Sequence, residues 1–266
     1  MTSLLLRIKS SLILGPPFLL AVYMGGWMFF IVVAAVALAA ASELLKTLSS
    51  DELDLPTGRW ICFFSLVTLL VMVHFSHYTG LFYLPLGILV AHLIHCLLVR
   101  GNCKEQVSVL RCSMLTVAYI GLIGFWLAVR SHPEGLFFLL YALVSTWAFD
   151  IGAYFSGSKW GTQPLVPHLS PGKTTVGLFG GIFAAGIAGF AFSYWLPTTH
   201  IHGVLLAISL GIIAQLGDLF ASLLKRSASV KDFSNLIPGH GGVLDRIDSL
   251  LFSVALLHLF VEVGLL

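Results

Sequence analysis

The feature that most constrains this chain is a succession of apolar runs, each about as long as a bilayer is thick. A helix crossing the hydrocarbon needs ~20 mostly apolar residues. On that ruler, runs fall at 10–26, 27–47, 60–78, 81–99, 112–130, 135–155, 176–196, 202–223 and 249–265. Pro16 and Pro17 interrupt the first, and Gly25 and Gly26 leave it little room to turn, so it is expected to be a broken or tilted helix. Hydrophobic residues at 58% and a mean hydropathy of +0.98 exclude a soluble globular fold. The runs are too many and too long for a secretory signal, and no small-residue cleavage site follows the first, so no N-terminal peptide is set aside. The expected fold is all-α: a polytopic integral membrane protein of about nine transmembrane helices, or eight if the first run does not cross.

The basic residues supply a direction. Cytoplasmic flanks carry most of the Lys and Arg of a membrane protein. With nine spans and the N-terminus inside, the inner flanks hold Arg7, Lys9, Lys46, Arg59, Arg100, Lys104, Arg111, Lys159, Lys173, Lys225, Arg226, Lys231 and Arg246, or 13 of the 14 basic residues, leaving Arg130 outside. Dropping one internal span would scatter this sorting. Two long, polar inner loops, after the sixth and eighth runs, are punctuated by Gly and Pro and fall on the same face.

The ions gather around the second of those loops. The stretch Gly217 to Asp248, "GDLFASLLKRSASVKDFSNLIPGHGGVLDRID", holds four Asp, two Lys and two Arg in a chain only 10% charged. On a continuing helix Asp218, Ser222 and Lys225 or Arg226 share a face, and Asp245 and Asp248 project together. Asp150, in "STWAFDIGAYFSG", is another acid at a membrane edge. An ionised carboxylate at the centre of a transmembrane helix costs about 2.5–3.5 kcal/mol even on the mild insertion scale, which makes such acids functional candidates. One plain reading is that they pair with neighbouring Lys and Arg and lock the bundle. The alternative follows from the mixture itself. Carboxylate oxygens suit Mg²⁺, Lys and Arg suit phosphate, and Gly239, Gly241 and Gly242 let backbone N–H groups approach an anion. Acids, bases and bare backbone together describe a metal–phosphate site. In the other loop "SPGKTTVG", Ser170 to Gly177, offers a Lys, hydroxyls and glycines before a helix, either a phosphate clasp or a plain loop with an N-cap. It lacks the spacing of a P-loop.

The segment Ser222 to Asp248 resembles the signature of the phosphatidate cytidylyltransferase, or CDP-diacylglycerol synthase, family. The match comprises the Ser, the Lys-Arg pair, Lys-Asp four residues on, Pro-x-His-Gly-Gly and Asp-Arg-x-Asp. It extends through "QLGDLFAS", "DIGAYFSG" and "SPGKTT", and more loosely to "MGGWMFF". Val176 stands where the family commonly has an acidic or amide residue, which leaves that position without a role. The resemblance implies a single transmembrane catalytic domain over 1–266. It implies transfer of CMP from CTP to phosphatidic acid with release of pyrophosphate, requiring Mg²⁺, with up to two cations, the second one allowed to be monovalent. By the same resemblance Asp218 and Asp245 are metal ligands, with Asp248 as a third or supporting carboxylate. Lys225, Arg226 and Arg246 are the phosphate-binding catalytic groups, Arg246 alternatively orienting Asp245. Asp150, Lys173, Thr174, Ser222, Lys231 and His240 fall on the substrate side, His240 equally readable as a turn residue. A homodimer in a bacterial inner membrane, its active site facing the cytoplasm and with no nucleic-acid partner, is the expected setting.

Two other classes compete. A transporter would use Asp150, Asp218 and Asp245 as coordinating acids, but carriers bind near the midplane and these ions lie at one face. A CDP-alcohol phosphotransferase also clusters Asp at a membrane, yet its pattern of Asp-Gly, Ala-Arg, Gly and two further Asp is missing. Cys62, Cys96, Cys103 and Cys112 form no CxxC pair and read as packing residues, with Cys103 and Cys112 the ones that could be exposed thiols. His74, His77, His92 and His95 read as interhelical or interfacial. The glycines of 177–189 mark a close-packing helix. Glu43 is left open between capping, pairing with Lys46 and facing the pocket.

Overall fold

The computed structural model describes residues 2–48, 56–75, 103–265 and positions 87, 89–91 and 93–94. Its helices are α1 (Thr2–Met24), α2 (Gly26–Leu48), α3 (Pro56–His74), α4 (Cys103–Ile120), α5 (Gly124–Ser131), α6 (Gly135–Trp160), α7 (Thr175–Phe192), α8 (His200–Ser227) and α9 (Leu244–Glu262). A 3-10 turn, Gly121–Ile123, links α4 to α5. Five helical segments are long and apolar enough to cross a membrane: Gly26–Leu48, Gln106–Ser131, Gly135–Trp160, Thr175–Trp195 and His200–Ser227. Lys9–Met24 and Arg59–His74 are shorter apolar helices. The chain is thus a helical membrane protein, as its apolar runs require. The expected run at 81–99 lies mostly outside the described residues, which include only positions 87, 89–91 and 93–94 of it.

Pro16 and Pro17 sit inside α1 without ending it, and the break comes instead at Gly25, where φ is +65°. The loop after α6 carries something periodicity did not announce, an antiparallel hairpin of β1 (Pro164–Val166) and β2 (Ser170–Thr174). Strands this short have no room for an alternating pattern.

Contacts cluster into two compact units. The first comprises Met1–Ala128 with Asp232–Arg246, the second Val129–Lys231 with Ile247–Leu266. In the first, α2 contributes a seam of Phe29, Val33, Ala37, Ala40, Ala41 and Leu44, all buried. In the second, α7 approaches its neighbours backbone to backbone. A Cβ at Gly181 would stand 2.9 Å from Phe149 O on α6, and one at Gly189 2.8 Å from Gly203 O on α8. Without a hydrophobic driving force between helices in lipid, such close van der Waals approach is what holds them together, and it bears out the reading of this helix as a close-packing one. Buried Tyr141 adds a hydrogen bond from its hydroxyl to Gly203 O.

Candidate active site

In the second unit three predicted residues come together. Lys173, on β2, places Nζ 2.5 Å from Asp218 Oδ2 on α8. Asp150, on α6, lies close enough to interact electrostatically with both. The sequence separates these groups by up to 68 residues, counting from Asp150 to Asp218; the hairpin returns Lys173 to them. Thr174 is the N-cap of α7, its Oγ1 accepting from Gly177 N at 3.1 Å. A cap oxygen satisfies one of the helix's orphan N–H groups, and a hydroxyl that accepts keeps its proton to donate. The octapeptide "SPGKTTVG" is therefore a capped helix start with a lysine immediately before its cap residue.

The Lys225–Arg226 pair closes α8. Its last carbonyls are tied down by Val230 N to Lys225 O at 3.0 Å and Ser229 N to Arg226 O at 3.0 Å. This is the paired pattern of a Schellman end, with Ser229 at φ +58° in the place glycine usually takes. Lys225 is 9% exposed and Ser222 9%, facing inward on adjacent turns. Arg226 is exposed, and its Nη1 donates to Val230 O at 3.1 Å. Lys231 is exposed in the loop that follows. On α9 Asp248 is 6% exposed and its Oδ1 accepts from Ser249 N at 2.8 Å. Its backbone forms a helix crossing, since a Cβ at Gly217 would come within 2.7 Å of Asp248 O.

The first unit holds the Gly-rich turn and Asp245. Ile237 and Gly241 bridge the turn, with Gly239 at φ +78° and Gly241 at φ +86°, conformations that side chains resist. Asp245 Oδ2 accepts from Phe233 N and Gly242 N, both at 3.0 Å. Arg246 Nη2 donates to His240 O at 2.6 Å. His240 Nδ1 lies 2.7 Å from Ser10 Oγ on α1, and the same hydroxyl reaches Pro238 O at 3.2 Å. Both readings of His240 keep their footing, although its ring is tied into the turn's own bonding.

Glu43, left open by the sequence, is resolved. Its side chain is 4% exposed and accepts three bonds: Ser234 Oγ at 2.6 Å and Val243 N at 2.9 Å on Oε1, and Leu244 N at 2.8 Å on Oε2. The residues before α9 are Gly241, Gly242 and Val243, so no local side chain can cap this helix, and Glu43 caps it from 201 positions away. A buried N–H stripped of its partner costs about 1–3 kcal/mol, and a carboxylate beside a helix N-terminus gains from the dipole as well. Ser10 and Ser234, unlike Glu43, carry no signal in the sequence; serine is common, and only their distant partners mark them.

Among the described residues no three His, Cys, Asp or Glu side chains form a ready-made metal cluster. Mg²⁺ characteristically takes only one or two protein carboxylates and completes its shell with water and phosphate. Carboxylates set beside lysine and backbone N–H groups fit that chemistry.

The cytidylyltransferase family model matches residues 5–264. The phosphatidate cytidylyltransferase of Bacillus subtilis (strain 168) is 32% identical over 259 residues, 95% of each chain. That of Staphylococcus aureus (strain COL) is 32% identical over 237 residues, 88% of this chain and 90% of its own. That of Haemophilus influenzae is 46% identical over 133 residues, 48% of this chain and 46% of its own. A match from near one end to near the other, joined to a lysine–aspartate pair at a capped helix and an acid held in a glycine turn, makes this chain a member of the cytidylyltransferase family.

Proposed function

We propose that the chain joins CTP to phosphatidate, giving CDP-diacylglycerol and pyrophosphate. A phosphate oxygen of phosphatidate forms a bond to the α-phosphorus of CTP as the bond from that phosphorus to the β-phosphate bridging oxygen breaks, and pyrophosphate leaves with both electrons. The lipid phosphate is already an anion at neutral pH, so no covalent nucleophile is needed. The obstacle is repulsion between two anions, and such transfers are achieved by positioning and electrostatics.

The chain's residues divide that task. Asp218 and Asp245, with Asp248, would hold Mg²⁺, up to two cations in all. Bound Mg²⁺ supplies neutralisation of the phosphates. Lys225, Arg226 and Arg246 would carry phosphate oxygens, Arg246 also stiffening the turn through His240 O. Asp150, Lys173, Thr174, Ser222, Lys231 and His240 would serve the substrates' polar groups. The observation that carries this reading is the Lys173–Asp218 pair with Asp150 beside it, opposite charges concentrated within an apolar protein.

The same proposal extends to setting: one catalytic domain, nine spans with a cytoplasmic N-terminus, the basic residues facing the cytoplasm of a bacterial inner membrane, and a homodimer. The 13-to-1 sorting of Lys and Arg supports the orientation, and the small-residue helix faces permit self-association. Detergent-solubilised protein given labelled CTP, phosphatidate and Mg²⁺ should release pyrophosphate and a CDP-lipid. Absence of both products with every divalent metal tried would overturn the assignment and favour transport.

A further inference from the structure

We infer that Glu43 is a positioning residue for cytidylyl transfer: it fixes the start of α9, and through it the Asp245 carboxylate. The inference rests on the reading of Asp245 as a metal ligand. Its footing is the set of bonds around the helix start. Glu43 binds the N–H groups of Val243 and Leu244, the two residues immediately before Asp245. Through Ser234 it also holds the loop beside Phe233, whose N–H donates to Asp245 Oδ2. Both backbone segments that clamp Asp245 therefore converge on one buried acid.

The chemistry demands a carboxylate. Oε1 and Oε2 each face a backbone N–H that cannot reverse its polarity. A glutamine would set its own NH₂ against one of them in either orientation, since an amide has one acceptor atom and a carboxylate two. An aspartate is one methylene short. Gly242 is part of the same fit, because a Cβ there would stand 2.7 Å from Glu43 Oε2. Mispositioning of groups that orient metal ligands characteristically weakens metal affinity or activity by about 10–100-fold.

The test uses the full-length purified chain as wild type, Glu43→Gln, Ser234→Ala, Gly242→Ala and Asp245→Asn. Mn²⁺ binding is followed by electron paramagnetic resonance, kcat and KM are measured for CTP and phosphatidate, and thermal unfolding is recorded without metal. Glu43→Gln should weaken Mn²⁺ binding by about 10–100-fold and lower kcat, leaving KM for phosphatidate within about twofold. Ser234→Ala and Gly242→Ala should move Mn²⁺ affinity in the same direction by less, and they decide the matter if Glu43→Gln does not fold. Wild-type Mn²⁺ affinity in these variants, with only the melting temperature lowered, would make Glu43 a helix cap and nothing more. Asp245→Asn separates the two ideas. If it binds Mn²⁺ as wild type does, the metal-ligand reading falls and the inference with it; if it does not, while Glu43→Gln does, only the inference falls.

Discussion

Lys173 and Asp218 are better understood as a working pair than as a staple. Asp218 keeps 37% of its side chain exposed, so the lysine does not seal its carboxylate away from an incoming ligand. An ammonium at 2.5 Å from a carboxylate, in a protein that binds phosphates, is a donor held ready for an incoming oxygen. The two should therefore act as a unit. Lys173→Gln and Asp218→Asn are each expected to lower kcat/KM by about 10²-fold, the scale seen when one electrostatic donor is lost. The double variant should fall well short of the ~10⁴-fold that independent effects would multiply to. Steady-state assays on the three variants measure the coupling, and simple multiplication would show the residues to be independent. Asp245→Asn should abolish turnover yet insert and fold normally. Full activity in that variant would remove Asp245 from the metal site.

At the scale of elements, what could be read in advance was whatever repeats locally. Apolar runs announced the helices, and Gly177 to Gly189 announced a helix packed through its backbone. The β1–β2 hairpin was hidden because three and five residues leave too few positions to alternate. The cap on α9 was hidden because its acceptor lies 201 residues away, and nothing local to Glu43 or to Gly-Gly-Val records the partnership. The glycine helix makes a sharp test of packing. A Cβ at Gly152 would stand 2.5 Å from Ala184 Cβ and 2.6 Å from Gly180 O, leaving no space for a side chain, whereas Gly15 in α1 has nothing within 4 Å. Gly152→Val should destabilise by about 1–3 kcal/mol, as overpacking does, while Gly15→Ala should leave the melting temperature in detergent unchanged or raised. At the end of α8, Ser229 holds a left-handed conformation that glycine adopts freely. Ser229→Gly should accordingly stabilise the chain by about 0.5–1 kcal/mol, read as a higher midpoint in thermal unfolding.

For the whole molecule, the charge sorting and the proposed chemistry require each other. CTP is a soluble polyanion and phosphatidate carries its phosphate at the headgroup layer, so a chain that joins them needs its cations at one membrane face rather than spread through the bilayer. The basic residues obey that demand under one topology, nine spans with the N-terminus inside, and Arg130 is the exception it leaves on the far side. Topology is read directly by chemistry on intact cells. In a background with Cys62, Cys96, Cys103 and Cys112 changed to Ser, a single Lys231→Cys should resist a membrane-impermeant maleimide in sealed cells and react once they are opened. A single Arg130→Cys should react with the reagent reaching it from outside. Labelling of Lys231→Cys in sealed cells would invert the orientation, and it would place the signature loop on the side of the membrane where CTP is not found.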